Sequence, residues 1–265
     1  MTWLQTIVLA IVQGLTEFLP ISSSGHLVLV PVFFGWTDQG LTFDVAVHFG
    51  SLLAVAVYFR NDLKGLISGS VRLLGGHGDS PESRMALYIL IGTIPAALAG
   101  LLLADWIEGN LRSPLIIVCT LAGYGVLMAL ADRLGKHERV IANVGLRDAI
   151  VIGVAQALAL VPGTSRSGIT ITAAMMLGFQ RKDAARFSFL LSAPVILLAT
   201  GYETLQLFID GTQIAWAQLA IGVSISALVA YLSIDFFMRF VNAIGLLPFA
   251  IYRLGLAGVV LYAVV

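Results

Sequence analysis

The sequence predicts an all-α integral membrane protein: six full transmembrane helices and two re-entrant helical hairpins, arranged as an inverted-topology repeat. Three observations carry that expectation. The 265 residues are 58% hydrophobic and only 11% charged, with a mean hydropathy of +0.95, whereas soluble domains carry roughly 25% charged residues. Six apolar runs are long enough to cross a bilayer, which takes about 17–25 residues. Two further apolar regions, 1–35 and 147–180, are interrupted midway by polar clusters containing proline and glycine.

Region 1–35 begins MTWLQTIVLAIVQGLTEF, without the positive stretch of a signal peptide, and is expected to be retained. The first 59 residues contain no lysine or arginine, yet EFLPISSSGH (17–26) places a carboxylate, three serines and an imidazole inside this apolar region. Full spans are expected at 43–59, 86–104, 114–131, 187–205, 216–238 and 244–264. Between the third and fourth, region 147–180 is broken by PGTSRSGIT (162–170). Each half of the two broken regions is too short to span comfortably. Such segments persist at membrane depth only where they line a protein-enclosed or aqueous cavity, so both are read as re-entrant hairpins. The single cysteine, Cys119, lies in PLIIVCTLAGYGVLMALA and is expected as a small core hydrophobe. Alone it makes neither an intrachain disulfide nor a zinc site. A formal net charge of zero gives no field for nucleic acid.

Lysine and arginine set the orientation. The connection 60–85 holds Arg60, Lys64, Arg72 and Arg84; 132–147 holds Arg133, Lys136, Arg139 and Arg147; a short link at QRKDAAR holds Arg181, Lys182 and Arg186. By contrast 35–42 and 206–215 have none, and 105–113 has one arginine against two acids. Threading six spans through these loops puts the basic loops in the cytoplasm and both termini on the other side. The first hairpin then enters from outside and the second from the cytoplasm. An internal duplication agrees with this. QGLTEFLPISSSG and QALALVPGTSRSG each run twelve positions from glutamine (Gln13, Gln156) to glycine (Gly25, Gly168). HFGSLLAVAV (48–57) aligns with RFSFLLSAPV (186–195) without a gap. The chain reads as one transmembrane domain, 1–265, with inverted repeats at approximately 1–131 and 147–265. Inverted repeats whose broken helices meet near the midplane mark a substrate site in many membrane proteins.

Such a meeting brings one fixed cation, Arg166, to Glu17, His26 and the hydroxyls of Ser22, Ser23, Ser24, Thr164, Ser165, Ser167 and Thr170. An arginine at membrane depth is expensive, and its default reading is functional with a paired anion. Its fork of donors suits phosphate or carboxylate. Gly163 and Gly168 let backbone amides approach an anion, and a helix starting near Gly168 adds its dipole. The structural alternative is that Arg166 only pairs with Glu17 to lock the hairpins. Buried pairs are weak evidence for stability, and that alternative leaves His26 and many hydroxyls unexplained. Gln13 and Glu17, four apart, share a helical face and could hold Mg2+ or Ca2+ together with substrate phosphates. Asp44 and His48 have the same spacing and are read first as helix-end or loop residues. Glu203 and Asp235 are read as snorkelling near span ends.

With these motifs in view, the chain resembles the undecaprenyl pyrophosphate phosphatase family of bacteria, the bacitracin-resistance type. Its first motif, a glutamate or glutamine, three residues, a glutamate and a Ser-Ser-x-Gly-His tail, matches QGLTEFLPISSSGH. Its second, Pro-Gly-x-Ser-Arg-Ser-x-x-Thr, is PGTSRSGIT. Gln13 stands where many members have glutamate, leaving Glu17 as the principal carboxylate. The resemblance implies an inner-membrane, dimeric enzyme with a site open to the periplasmic face and a divalent-cation requirement. It would hydrolyse the terminal phosphate of undecaprenyl pyrophosphate, recycle the carrier lipid for peptidoglycan synthesis and confer bacitracin resistance.

On this reading Arg166, with the 163–170 segment and Ser22, binds phosphate and stabilises the transferring group. Glu17, with Gln13, holds the metal or positions a water. Ser23 attacks the terminal phosphorus with His26 as base and later acid, or a water activated by His26 or Glu17 attacks directly. The rival class is a transporter moving a lipid phosphate across the bilayer, which does not need His26 and Ser23 beside a metal-competent Glu17. A purely structural subunit leaves the buried arginine without a purpose.

Overall fold

The computed structural model describes residues 1–111, 113–209 and 215–264, with 104, 105, 108, 207, 208 and 264 described by backbone only. Residue 112 of the expected connection 105–113 and residues 210–214 of the link 206–215 therefore lie outside the described residues, and α5 takes up most of the former. Every regular element described is helical. Among the described residues eleven α-helices follow one another: α1 (Trp3–Thr16), α2 (Ser23–Phe34), α3 (Leu41–Tyr58), α4 (Arg60–Leu74), α5 (Pro81–Asn110), α6 (Pro114–Leu134), α7 (Leu146–Leu158), α8 (Arg166–Met176), α9 (Arg181–Ile209), α10 (Trp216–Ile244) and α11 (Leu247–Val264). The starts are locally encoded. Thr2 and Gln5 form a capping box on α1, and the Ser80-Pro81 and Ser113-Pro114 pairs supply a capping hydroxyl followed by proline for α5 and α6. Proline fits the first turn because its missing N–H has no helical partner there.

Among the described residues, five helices are long and apolar enough to cross a membrane: Leu41–Tyr58, Pro81–Leu103, Pro114–Leu134, Arg181–Gln206 and Trp216–Ile244. The sixth expected span is the shorter apolar helix α11, which starts after Gly245 at φ 70°. Regions 1–35 and 147–180 are broken as expected, into α1/α2 and α7/α8. Two connections are more ordered than the sequence reading had them. The stretch 60–85 contains the amphipathic helix α4, and the QRKDAAR link forms the first turns of α9. The expectation for Cys119 is corrected, because its side chain is exposed on α6. Outward faces of this protein are as apolar as its core, Leu102 being 76% exposed, so hydrophobic context does not separate a core cysteine from a lipid-facing one.

Helix α9 is the central element, with 61% of its spanning window buried against 28–44% for the other four. It packs on α3, α5, α8 and α10, while α1 and α3 pack on α10, α7 on α5 and α11 on α6. Phe18, in the break after α1, reaches this core and meets Phe189 of α9 edge-on at 5.2 Å. The basic stretches converge on one end of α9. Arg181 pairs with Asp132 of α6 at 2.5 Å, and Arg186 pairs with Asp62 of α4. Nearby, Arg139 bonds both Asp148 oxygens and lies over the Phe179 ring; its hydrogen bonds to that carboxylate raise the guanidinium pKa further.

Two glycines set how closely the broken segments sit against long helices. A Cβ on Gly14 would lie 2.8 Å from Ser226 O of α10, and one on Gly153 would lie 2.5 Å from Gly92 O of α5. Any larger side chain forces these backbones apart. Gly153→Val is expected to cost about 1–3 kcal/mol through overpacking, read as a lower thermal midpoint in detergent. Gly100→Ala, where a Cβ meets nothing within 4 Å, should not lower the midpoint, since alanine is the better helix former.

Candidate active site

The two helix breaks face each other. Residues 17–22 separate α1 from α2 and residues 159–165 separate α7 from α8. Each break ends on a serine with positive φ, Ser22 at 75° and Ser165 at 70°. Left-handed backbone is uncommon for residues other than glycine. Both serines stand nine positions after a buried glutamine, Gln13 and Gln156. The Ser165 hydroxyl accepts from Gly168 N and so caps α8, while Ser22 makes no such cap on α2.

Glu17 is the hub. It is 7% exposed, and its Oε1 accepts from Arg166 Nη2 at 2.9 Å. Its Oε2 accepts from Ser23 Oγ at 2.5 Å and from Gln13 Nε2 at 3.0 Å, with His48 Nε2 3.6 Å away. Behind it, Gln13 Nε2 also reaches Ser51 Oγ, and Ser51 meets Ser226, which donates to Val47 O. This polar seam ties α1, α3 and α10 to the carboxylate. Arg166 uses only part of its fork, since Nη1 is buried and has no hydrogen-bond partner. A buried donor left unmade costs about 1–3 kcal/mol, so the vacant arm suits an anion.

A cleft of about 340 Å³ opens over this group, lined by Glu17, Ser23, Ser24 and Arg166 together with Asp44, His48 and Glu203. Apolar side chains complete it, including Leu41, Val195 and Ile196. A larger groove, of about 520 Å³, lies between the ends of α6 and α8, and Lys136 is the only polar side chain on its wall.

The expected site residues thus divide. Glu17, Ser23, Ser24, Ser165 and Arg166 line the cleft. The others are turned inward. Ser167 donates to Leu19 O, Thr170 donates to Arg166 O and meets Ser188 of α9, and Thr164 is fully buried with no partner for its hydroxyl. Gly163, at φ 85°, passes so close to Thr120 of α6 that a Cβ would overlap its hydroxyl. His26 is 9% exposed and both its nitrogens are engaged. Nδ1–H donates to Ser22 O at 2.7 Å, and Nε2 faces the Tyr252 hydroxyl at 2.6 Å with the two rings stacked. His48 is the imidazole on the cleft wall. Its Nδ1–H donates to Asp44 O at 2.7 Å, which leaves Nε2 directed toward Glu17.

Sequence reasoning missed several of these residues. Asp44 and His48, read as helix-end or loop residues, and Glu203, read as snorkelling, all line the cleft, whereas Asp235 pairs with Arg239 on an exposed face. The i,i+4 spacing of Asp44 and His48 was the available signal. The inventory of one fixed cation is corrected too. Arg253 of α11 is 1% exposed and lies between the two breaks, bonded to backbone carbonyls of both. A lone arginine late in an apolar run was its signal.

A family model described as "Bacitracin resistance protein BacA" matches residues 6–259. The chain is 55% identical to a protein named undecaprenyl-diphosphatase from Hahella chejuensis, over 96% of this chain and 95% of the relative. Proteins of the same name from Teredinibacter turnerae and Nitrosococcus oceani are each 52% identical, over 100% and 99% of both chains respectively. The match covers both helix breaks and every helix between them, and the chain belongs to the bacitracin resistance protein BacA family.

Proposed function

We propose that this chain hydrolyses undecaprenyl diphosphate to undecaprenyl phosphate and inorganic phosphate, in a cleft opening to the periplasmic face of the bacterial inner membrane. The observation that carries the reading is the half-used Arg166 fork. One arm is spent on Glu17 and the other is buried and vacant, beside a serine hydroxyl already bonded to that glutamate. A lock between hairpins needs no vacant arm, whereas a phosphate fills it. The full-length likeness to proteins named undecaprenyl-diphosphatase supplies the lipid class, and the apolar wall of the cleft suits the first isoprene units.

In this mechanism Arg166 binds the terminal phosphate with Nη1 and stabilises charge on its oxygens during transfer. Ser23 Oγ attacks the terminal phosphorus, its proton passes to Glu17 Oε2, and the bond from that phosphorus to the bridging oxygen breaks to release the lipid monophosphate. Water then opens the phosphoserine, giving inorganic phosphate and restoring the hydroxyl. Direct attack by water at the same phosphorus, with Glu17 as base, is the competing route. Ser22, Gly163, Thr164, Ser167 and Thr170 shape the breaks around the phosphate, and His26 holds Ser22 and the tip against Tyr252. Gln13 Oε1 is a buried oxygen without a hydrogen-bond partner, one helical turn from the Glu17 carboxylate, and such oxygens suit a hard cation. Gln13 and Glu17 would hold Mg2+ or Ca2+, which would neutralise diphosphate charge.

The same proposal takes the chain as a homodimer of single-domain protomers. Each protomer has two inverted repeats, near 1–131 and 147–265, with α1/α2 and α7/α8 as re-entrant hairpins and α11 as the sixth span. Matching partnerships support the repeat: α1 and α3 share α10 as α7 and α9 share α5, while α3 pairs with α9 and α6 with α11. The convergence of basic residues at one end of α9 supports a cytoplasmic location for that end.

Purified protein in detergent with a divalent cation is expected to release phosphate from prenyl diphosphates; no release would favour a lipid-phosphate carrier. Arg166→Ala should lose at least about 10²–10³ in kcat while staying monodisperse, and turnover at the wild-type level would remove the phosphate clamp. Ser23→Ala should abolish both turnover and any acid-quenched phosphoserine, whereas full turnover would leave the water route. Tyr252→Phe removes the hydroxyl from His26 but keeps the ring stack, so kcat should fall less than about tenfold, below the 10²–10⁴ that acid–base roles contribute.

A further inference from the structure

Arg253 is the largest fully buried side chain among the described residues, and phosphoryl transfer as derived above does not use it. No carboxylate pairs with it among the described residues; its donors go to backbone carbonyls. Nε donates to Leu121 O at 3.3 Å, Nη1 to Pro20 O at 3.4 Å, and Nη2 to Thr120 O at 3.2 Å and Gly163 O at 3.0 Å. Two of these acceptors belong to α6, one to the break after α1 and one to the break after α7.

The choice of acceptors has a physical reason. Pro20 O and Gly163 O lie in the breaks, outside any helix, and buried carbonyls left unpaired are costly. A break at membrane depth cannot leave them to water. One planar guanidinium with five donors can serve several at once. Pro20 and Gly163 each stand seven positions after a buried glutamine, Gln13 and Gln156, so Arg253 bonds the two breaks at corresponding points. Thr120 adds a second tether, its hydroxyl donating to Pro162 O at 2.7 Å. Tyr252, next to Arg253 in the chain, holds His26. Together α6 and α11 form a post on which both breaks are hung.

We propose that Arg253 is a positioning residue for phosphoryl transfer: bonding Pro20 O and Gly163 O at once, it sets the separation of the two breaks and thereby the register of Ser23 and Glu17 with Arg166. It does not line the cleft, so it acts through those residues and not on substrate. This rests on the phosphatase reading for its kinetic consequence, but not for its geometric one. A displacement of about 1 Å in such a constellation can cost about 10² in rate. A lysine in its place carries the charge without the fork and cannot reach four carbonyls.

The test uses full-length protein in a Cys119→Ser background, with spin labels on Val28 of α2 and Leu158 of α7, both exposed. Arg253→Lys is expected to remain folded and to broaden or lengthen the label–label distance. Its kcat should fall about 100-fold with KM within about threefold. An unchanged distance overturns the proposal whatever happens to activity, and so does a lysine variant with wild-type kcat. If wild-type protein releases no phosphate yet Arg253→Lys still widens the distance, the clamp stands and the phosphatase reading falls. If Arg253→Lys does not fold, Thr120→Val keeps the guanidinium and removes only the tether to Pro162. It should then widen the distance and lower kcat severalfold, and no change in either measurement overturns the proposal.

Discussion

Taking a carboxylate and a guanidinium out of water costs several kcal/mol per ion even after relaxation, and the 2.9 Å contact between Glu17 and Arg166 must recover that cost. It can do so only if two chain segments, 149 positions apart in sequence, arrive at one point with the carboxylate's other lone pairs satisfied. Much of the architecture follows from that demand. The Gln13–Ser51–Ser226 seam satisfies the back of Glu17, Phe18 anchors the same break in the aromatic core, and Gly14 and Gly153 let the broken helices lie close against α10 and α5.

The breaks themselves are built from ordinary residues in unusual backbone. Ser22 and Ser165 hold positive φ where a glycine would be easier. Their neighbours explain why the chain tolerates this. Ser22 O accepts from His26, whose other nitrogen is held by Tyr252, and Ser165 Oγ accepts from Gly168 N. In the second motif Ser165, Ser167 and Thr170 bond backbone, whereas in the first Ser22 and Ser24 bond each other and Ser23 bonds the Glu17 carboxylate.

Much of this was legible in the sequence because it is local. Proline and glycine beside hydroxyls inside an apolar run mark a break wherever they occur, and Glu17, Ser23 and Arg166 could be named from their motifs. What was not legible depends on neighbours far along the chain. His26 looked like a base beside Ser23, but its partner is Tyr252, 226 positions away. Asp44 and His48 looked like the start of a helix until the packing of α3 on α9 and α10 carried them to the cleft. Hydropathy also failed where lipid replaces water as the outer medium. An apolar context says nothing about burial at Cys119, and an apolar run concealed Arg253. Amphipathic α4 was lost among the charges that set the orientation.

The amide at residue 13 has a consequence for the electrostatic character of the centre. Its Nε2 donates to Glu17 Oε2, a bond that an ionised carboxylate at the same place could not make. Two carboxylates so close repel unless a proton or a cation is shared between them. With glutamine, Glu17 is held in place by a neutral donor, and no shared proton is needed to keep the pair of side chains together. The resting centre thus carries one negative charge fewer than a glutamate at the same position would give it, and an incoming anion meets correspondingly less repulsion.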